Sequence, residues 1–106
     1  METAGYSTLG ISVERGVATV TIDHGEFNLM DLAMLADLDR AGRQLESDPA
    51  VKVVVLQSAN PEFFVAHVDI NAISELPAKP PPREEELGWV HAVFDRFRTM
   101  PKATIA

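Results

Sequence analysis

Residues 51–57, VKVVVLQ, constrain the fold more than any other stretch. The run is almost wholly apolar and β-branched, so it reads as a strand covered on both faces, as in α/β architectures. What precedes it supports that class. Residues 29–47 read as a helix, because Leu32, Leu35, Leu38 and Leu45 recur at helical spacing with Ala36 and Ala41 nearby, and the bland reading of these apolar side chains is core packing. Asp31, Asp37, Asp39, Arg40 and Arg43 fall largely elsewhere, and Asp48-Pro49 stops the helix. Upstream, LGISVER (9–15) and VATVTID (17–23) alternate about Gly16 and read as a β-hairpin, with Ala18, Val20 and Ile22 on one side of its second strand and Val17, Thr19 and Thr21 on the other.

Downstream, Asn60-Pro61-Glu62 signals a turn, and Asp69 is placed to cap a short helix through Leu76. PAKPPP (77–82) excludes both helix and central strand and reads as a stiff linker. The acids of REEE (83–86) suit the start of a second amphipathic helix running from Leu87 to about Met100, with Val90, Phe94 and Phe97 as its inward stripe and Trp89 and Val93 beside it. Pro101 ends it, and KATIA opens a further apolar β segment in mid-run. Residues 1–7 read as flexible, and there is no internal repeat.

The bulk numbers narrow the partners. At 106 residues the chain suits one small domain with a thin stability margin. A net charge of −7 gives no gain from neutralising phosphates, so neither nucleic acid nor an anionic membrane is an expected partner, although a few local Lys or Arg residues can still serve a small phosphorylated ligand. There is no cysteine, which removes disulfides, thiol catalysis and thiolate metal sites and fits a reducing compartment; a cytoplasmic location is expected. The N-terminus has no basic region followed by an apolar run, and no stretch approaches the roughly 20 apolar residues that span a bilayer.

The chemistry concentrates in NPEFFVAHVDI, residues 60–70. His67 and Asp69 lack partners at any known metal spacing, since His24, His91 and scattered acids would have to complete the set, so no metal is expected. Ser58, His67 and Asp69 lack a nucleophile elbow, which leaves Ser58 as a strand-end residue, His67 as a partly exposed spacer and Asp69 as a helix cap. Nucleotide-binding glycine motifs are absent. The backbone reading remains. A strand-to-helix junction exposes unpaired N–H groups, and such donors stabilise an oxygen that gains negative charge during a reaction.

These residues resemble the enoyl-CoA hydratase/isomerase, or crotonase, family. LGISVERGVATVTID looks like its opening hairpin, and EFNLMDLAMLADLDRAGRQLESDPAVKVVVLQSA looks like its Asn-led first helix and buried third strand. FFVAHVDI is similar to its Phe-x-Ala-Gly-Ala-Asp-Leu/Ile block, with His67 in place of glycine and Val68 in place of alanine, and MPKATIA is similar to its Pro-Lys-Pro-x-Ile-Ala segment. The resemblance implies the start of a ββα spiral, truncated here, and coenzyme A thioesters as ligands, with acyl-CoA as substrate rather than cofactor. It implies that the Val68 amide is one of two donors to an enolate-like oxygen. Ala66, Asp69, Ile70 and Asn71 are then expected along the thioester and pantetheine, and Asn28, Leu29 and Met30 near the coenzyme. His67 is expected at the site's edge as a specificity or packing substitution.

The family's second donor loop and acid-base glutamates come later in its sequences. The chain therefore reads as the N-terminal portion of a crotonase-like domain, inactive as a fragment. The competing expectation is a non-catalytic domain of the same fold that binds a partner subunit or acyl-CoA. A homo-oligomer is compatible with either.

Overall fold

A computed structural model describes residues 2–66 and 88–106. Two short strands, β1 (Leu9–Glu14) and β2 (Val17–Ile22), form the expected hairpin. Their register pairs Glu14 with Val17, which leaves Arg15 and Gly16 as a two-residue turn. Both have positive φ, 51° and 80°, the geometry whose twist matches that of the flanking strands.

Helix α1 (Leu32–Ser47) starts three residues later than the periodicity suggests. The cause is local. Asn28 sits in the left-handed region at φ 50°, and Asp31 is extended and caps the helix by accepting from the Met34 amide at 2.9 Å. Leu32, expected in the core, is 44% exposed, whereas Met34, Leu35, Leu38, Ala41 and Leu45 are buried. Each fully buried Leu or Met side chain contributes roughly 1.5–3 kcal/mol. Residues 2–8 lie along α1: Arg40 donates to the Gly5 carbonyl at 3.0 Å and stacks on Tyr6, and the Asp37 carboxylate accepts from the Thr8 amide and hydroxyl, both at 2.8 Å.

Strand β3 (Val53–Ser58) pairs in parallel with β2, and β4 (Ala103–Ile105) in parallel with β3, giving the order β1-β2-β3-β4. Ala18, Val20, Ile22 and Val54 form the sheet's buried face together with α1 and a second helix, α2 (Trp89–Thr99). The expected coverage of both faces of β3 is not seen among the described residues. Val54 is buried, but Val53 and Val55 on the opposite face are only half-buried.

The inward stripe of α2 also differs from expectation. Val93 and Phe97 on the helix and Met100 just past it are buried, while Phe94 is 43% exposed and Trp89 46%. Val90-Phe94-Phe97 and Val93-Phe97-Met100 are both helical stripes and share Phe97, so spacing alone could not choose. Gly42 of α1 chooses: a Cβ there would meet Phe97 Cε2 at 3.3 Å and Arg96 Cδ at 3.1 Å, so α2 crosses α1 at that bare backbone and seats Phe97 against it. Helix α2 starts at Trp89, two residues later than expected, with Gly88 extended as its N-cap, while the Pro-rich linker 77–82 and the short helix after Asp69 lie outside the described residues.

Candidate functional site

Because β2 and β3 are parallel, the loops that follow them, residues 23–31 and 59–66, leave the same end of the sheet. In open α/β sheets, ligands sit beyond the carboxyl ends of the strands. Here the two loops are joined by side chains. Asn28 is 1% exposed and every polar atom of its side chain is in use. Its Oδ1 accepts from the His24 amide at 2.8 Å, and its Nδ2 donates to Ser58 Oγ at 2.7 Å and to the Phe64 carbonyl at 3.1 Å. Asn tolerates the left-handed backbone that this inward aim requires.

Ser58, the last residue of β3, is the hub. Its hydroxyl donates to the Phe63 carbonyl at 2.7 Å while accepting from Asn28 and, at 2.9 Å, from the Asn60 amide. A hydroxyl so occupied suits the strand-end role better than nucleophilic chemistry. Asn60 shapes the turn itself, its Oδ1 accepting from the amides of Glu62 at 2.8 Å and Phe63 at 3.1 Å, and its Nδ2 donating to the Glu26 carbonyl. The Ala66 amide donates to the Phe27 carbonyl at 3.2 Å, and the Phe27 and Phe63 rings meet edge to face with centroids 5.6 Å apart.

At the foot of the first loop, His24 Nε2 lies 2.7 Å from Asp31 Oδ2. Partial burial works against ionisation of Asp31. The hydrogen bonds from His24 and from the Met34 amide, with the His24 charge, outweigh it, and the carboxyl is held below its ordinary value.

Of the residues expected at the site, Asn28, Leu29, Met30 and Ala66 are brought to these two loops: Asn28 is buried, Leu29, Met30 and Ala66 half-buried. His67, Val68, Asp69, Ile70 and Asn71 lie outside the described residues. The Asn28–Ser58–Asn60 network and the His24–Asp31 pair escaped the sequence reading. Asp31 did carry a usable signal, an acid directly before an apolar helical run. Among the described residues no three His, Asp or Glu side chains are grouped to hold a metal ion, and no helix is long and apolar enough to cross a membrane.

Known proteins share this fold. The family model for enoyl-CoA hydratase/isomerase matches residues 12–106. A candidate enoyl-CoA hydratase from Streptomyces avermitilis superposes with a TM-score of 0.76 at 35% identity, over 95% of this chain and 38% of its own. An enoyl-CoA hydratase from Geobacillus kaustophilus gives a TM-score of 0.65 at 28% identity, over 71% of this chain and 28% of its own. A candidate enoyl-CoA hydratase/isomerase (crotonase) from Legionella pneumophila gives 0.77 at 21% identity, over 96% and 40%, a likeness of fold. The chain thus spans well under half the length of these proteins, and its hairpin, helices and four-stranded sheet match the start of their fold. With the model matched from Ser12 to its last residue, the chain belongs to the enoyl-CoA hydratase/isomerase family.

Proposed function

We propose that these residues supply the first half of an acyl-CoA site in an enoyl-CoA hydratase/isomerase-type enzyme. There a thioester passes through an enolate-like species whose oxygen is held by backbone N–H groups, the Val68 amide among them. One observation carries most weight. Two loops from adjacent parallel strands are locked together at the carboxyl end of the sheet and hand the chain on at Ala66, whose own amide is already given to Phe27. Ala66 therefore cannot be the donor, and the junction read from FFVAHVDI comes directly after it. Asn28, Leu29, Met30, Ala66, His67, Asp69, Ile70 and Asn71 border the thioester and coenzyme in this reading, acyl-CoA is the substrate, and no separate cofactor takes part. The buried Asn28 does so through its backbone and its loop, since its side chain has no atom to spare. In this reading His67 stands at the site's edge as a specificity or packing substitution.

The chemistry asked of the Val68 amide is electrostatic. It stabilises charge that develops on the thioester oxygen, and removing one such donor costs about 2.7–4 kcal/mol, or 10²–10³ in rate. In the protein that carries these residues, Val68→Ala keeps the N–H and should retain most turnover of short enoyl-CoA thioesters. Val68→Pro deletes it and should lower turnover about 10²-fold or more with the circular dichroism spectrum unchanged. A folded Val68→Pro variant as fast as its parent would sink the proposal. His67→Gly should alter the preference among acyl chains more than the rate, and complete loss of turnover would instead make His67 a catalytic side chain.

A further inference from the structure

We propose that Asn28 and Ser58 are positioning residues for enolate stabilisation, acting on the ligand only through the backbone of residues 63–66; the inference rests on the backbone-amide reading above.

A peptide unit is planar and trans, so fixing its C=O also fixes the direction of the N–H on the far side of the same plane. Three consecutive peptide planes are fixed in this way before the chain reaches residue 67. The Phe63 carbonyl accepts from Ser58 Oγ at 2.7 Å, which sets the plane it shares with Phe64. The Phe64 carbonyl accepts from Asn28 Nδ2 at 3.1 Å, which sets the plane shared with Val65. The Ala66 amide donates to the Phe27 carbonyl at 3.2 Å, which sets the plane between Val65 and Ala66. Asn28 and Ser58 are bonded to each other at 2.7 Å, and Phe27 is the residue next to Asn28, so one small network governs all three planes.

The backbone of Asn28 sharpens the point. At φ 50° a glycine would be at least as comfortable, so only the side chain justifies an asparagine there. That side chain reaches no ligand-facing space, because the residue is buried and its polar atoms are consumed. What it does hold is the direction in which the chain leaves Ala66.

Asn28→Gly keeps the left-handed backbone and deletes the latch, and Ser58→Ala removes the hub. The probe is butyryl-CoA carrying ¹³C at its thioester carbonyl, a saturated ligand that cannot be hydrated, read by difference infrared spectroscopy in the protein that carries these residues. The parent should lower the carbonyl stretching frequency on binding. Both variants should lose most of that lowering while affinity stays within about tenfold, the split expected when charge stabilisation is lost and ground-state binding is kept. Ser58→Thr, which retains a hydroxyl, should recover it. Val93→Ala, a cavity in the α2 core, should leave it intact.

A folded Asn28→Gly or Ser58→Ala variant with the parent's full frequency shift would overturn the inference. So would loss of the shift in Val93→Ala, since general loosening would then suffice. If the parent itself shows no shift, or if Val68→Pro keeps it, the backbone-amide reading fails first and takes this inference with it.

Discussion

The parallel pair β2/β3 is closed at its two ends by different means. Where the strands begin, main chain ties main chain: the amides of Lys52 and Val53 both donate to the Gly16 carbonyl, at 2.7 and 3.1 Å. Where they end, the ties are mostly side chains, Asn28, Ser58 and Asn60. A backbone closure is indifferent to side-chain identity except where φ is positive. A side-chain closure binds the fold to particular residues, and buried partners left without them lose their hydrogen bonds outright. The end that is chemically particular is also the end at which the proposed function sets the ligand.

The largest effect that would test this contrast is at Asn28. Asn28→Ala strands the His24 amide and the Phe64 carbonyl and leaves a β-carbon at φ 50°, so stability should fall by roughly 2–4 kcal/mol in urea denaturation. A loss no larger than that of a surface substitution would break the comparison.

Next comes Asp31→Ala. Loss of the cap should cost about 1 kcal/mol near neutral pH. The folded-state pKa of Asp31 lies below its ordinary value of 3.8, so the carboxylate's contribution is present above that value and fades as pH falls through the lower folded value. The deficit of the variant should therefore shrink in acid. A deficit that persists undiminished well below 3.8 would mean the charge contributes nothing.

At the backbone-closed end the effects should stay below that of Asn28→Ala. Gly16→Ala meets only an ordinary contact, Lys52 Cγ at 3.4 Å, so its cost is the positive φ alone, about 1–2 kcal/mol. Arg15→Asn should do the opposite and stabilise by roughly 0.5 kcal/mol, because Asn suits φ 51° and Asn-Gly is the preferred pair for this turn. If Gly16→Ala proved more damaging than Asn28→Ala, the contrast between the two ends would be inverted.

The same contrast explains what could be read from the sequence. The hairpin, α1, β3 and β4 follow from local alternation, helical spacing and Gly or Pro punctuation. Ser58 as a strand-end residue followed from its place after VKVVVLQ. Asn28 was legible as a residue near the ligand but not as a latch, because its partners are 30 and 36 residues away and no local pattern carries them. The face of α2 was misjudged because two stripes share Phe97 and only Gly42, on another helix, separates them. Positive φ at Gly16 was foreseeable; at Arg15 it was not, since an arginine carries no such signal.

Lys102, just ahead of β4, donates from its ammonium to the Leu45 and Asp48 carbonyls at the end of α1. These groups lie 57 and 54 residues apart along the chain, so the tie closes a long loop and is entropically costly to form early. It should therefore form late in folding, once the end of α1 is in place. Lys102 then acts on the lifetime of the native state rather than on how fast it is reached. Lys102→Met should speed unfolding while leaving refolding nearly unchanged in stopped-flow measurements, and a slowed refolding limb would move this contact into the nucleus.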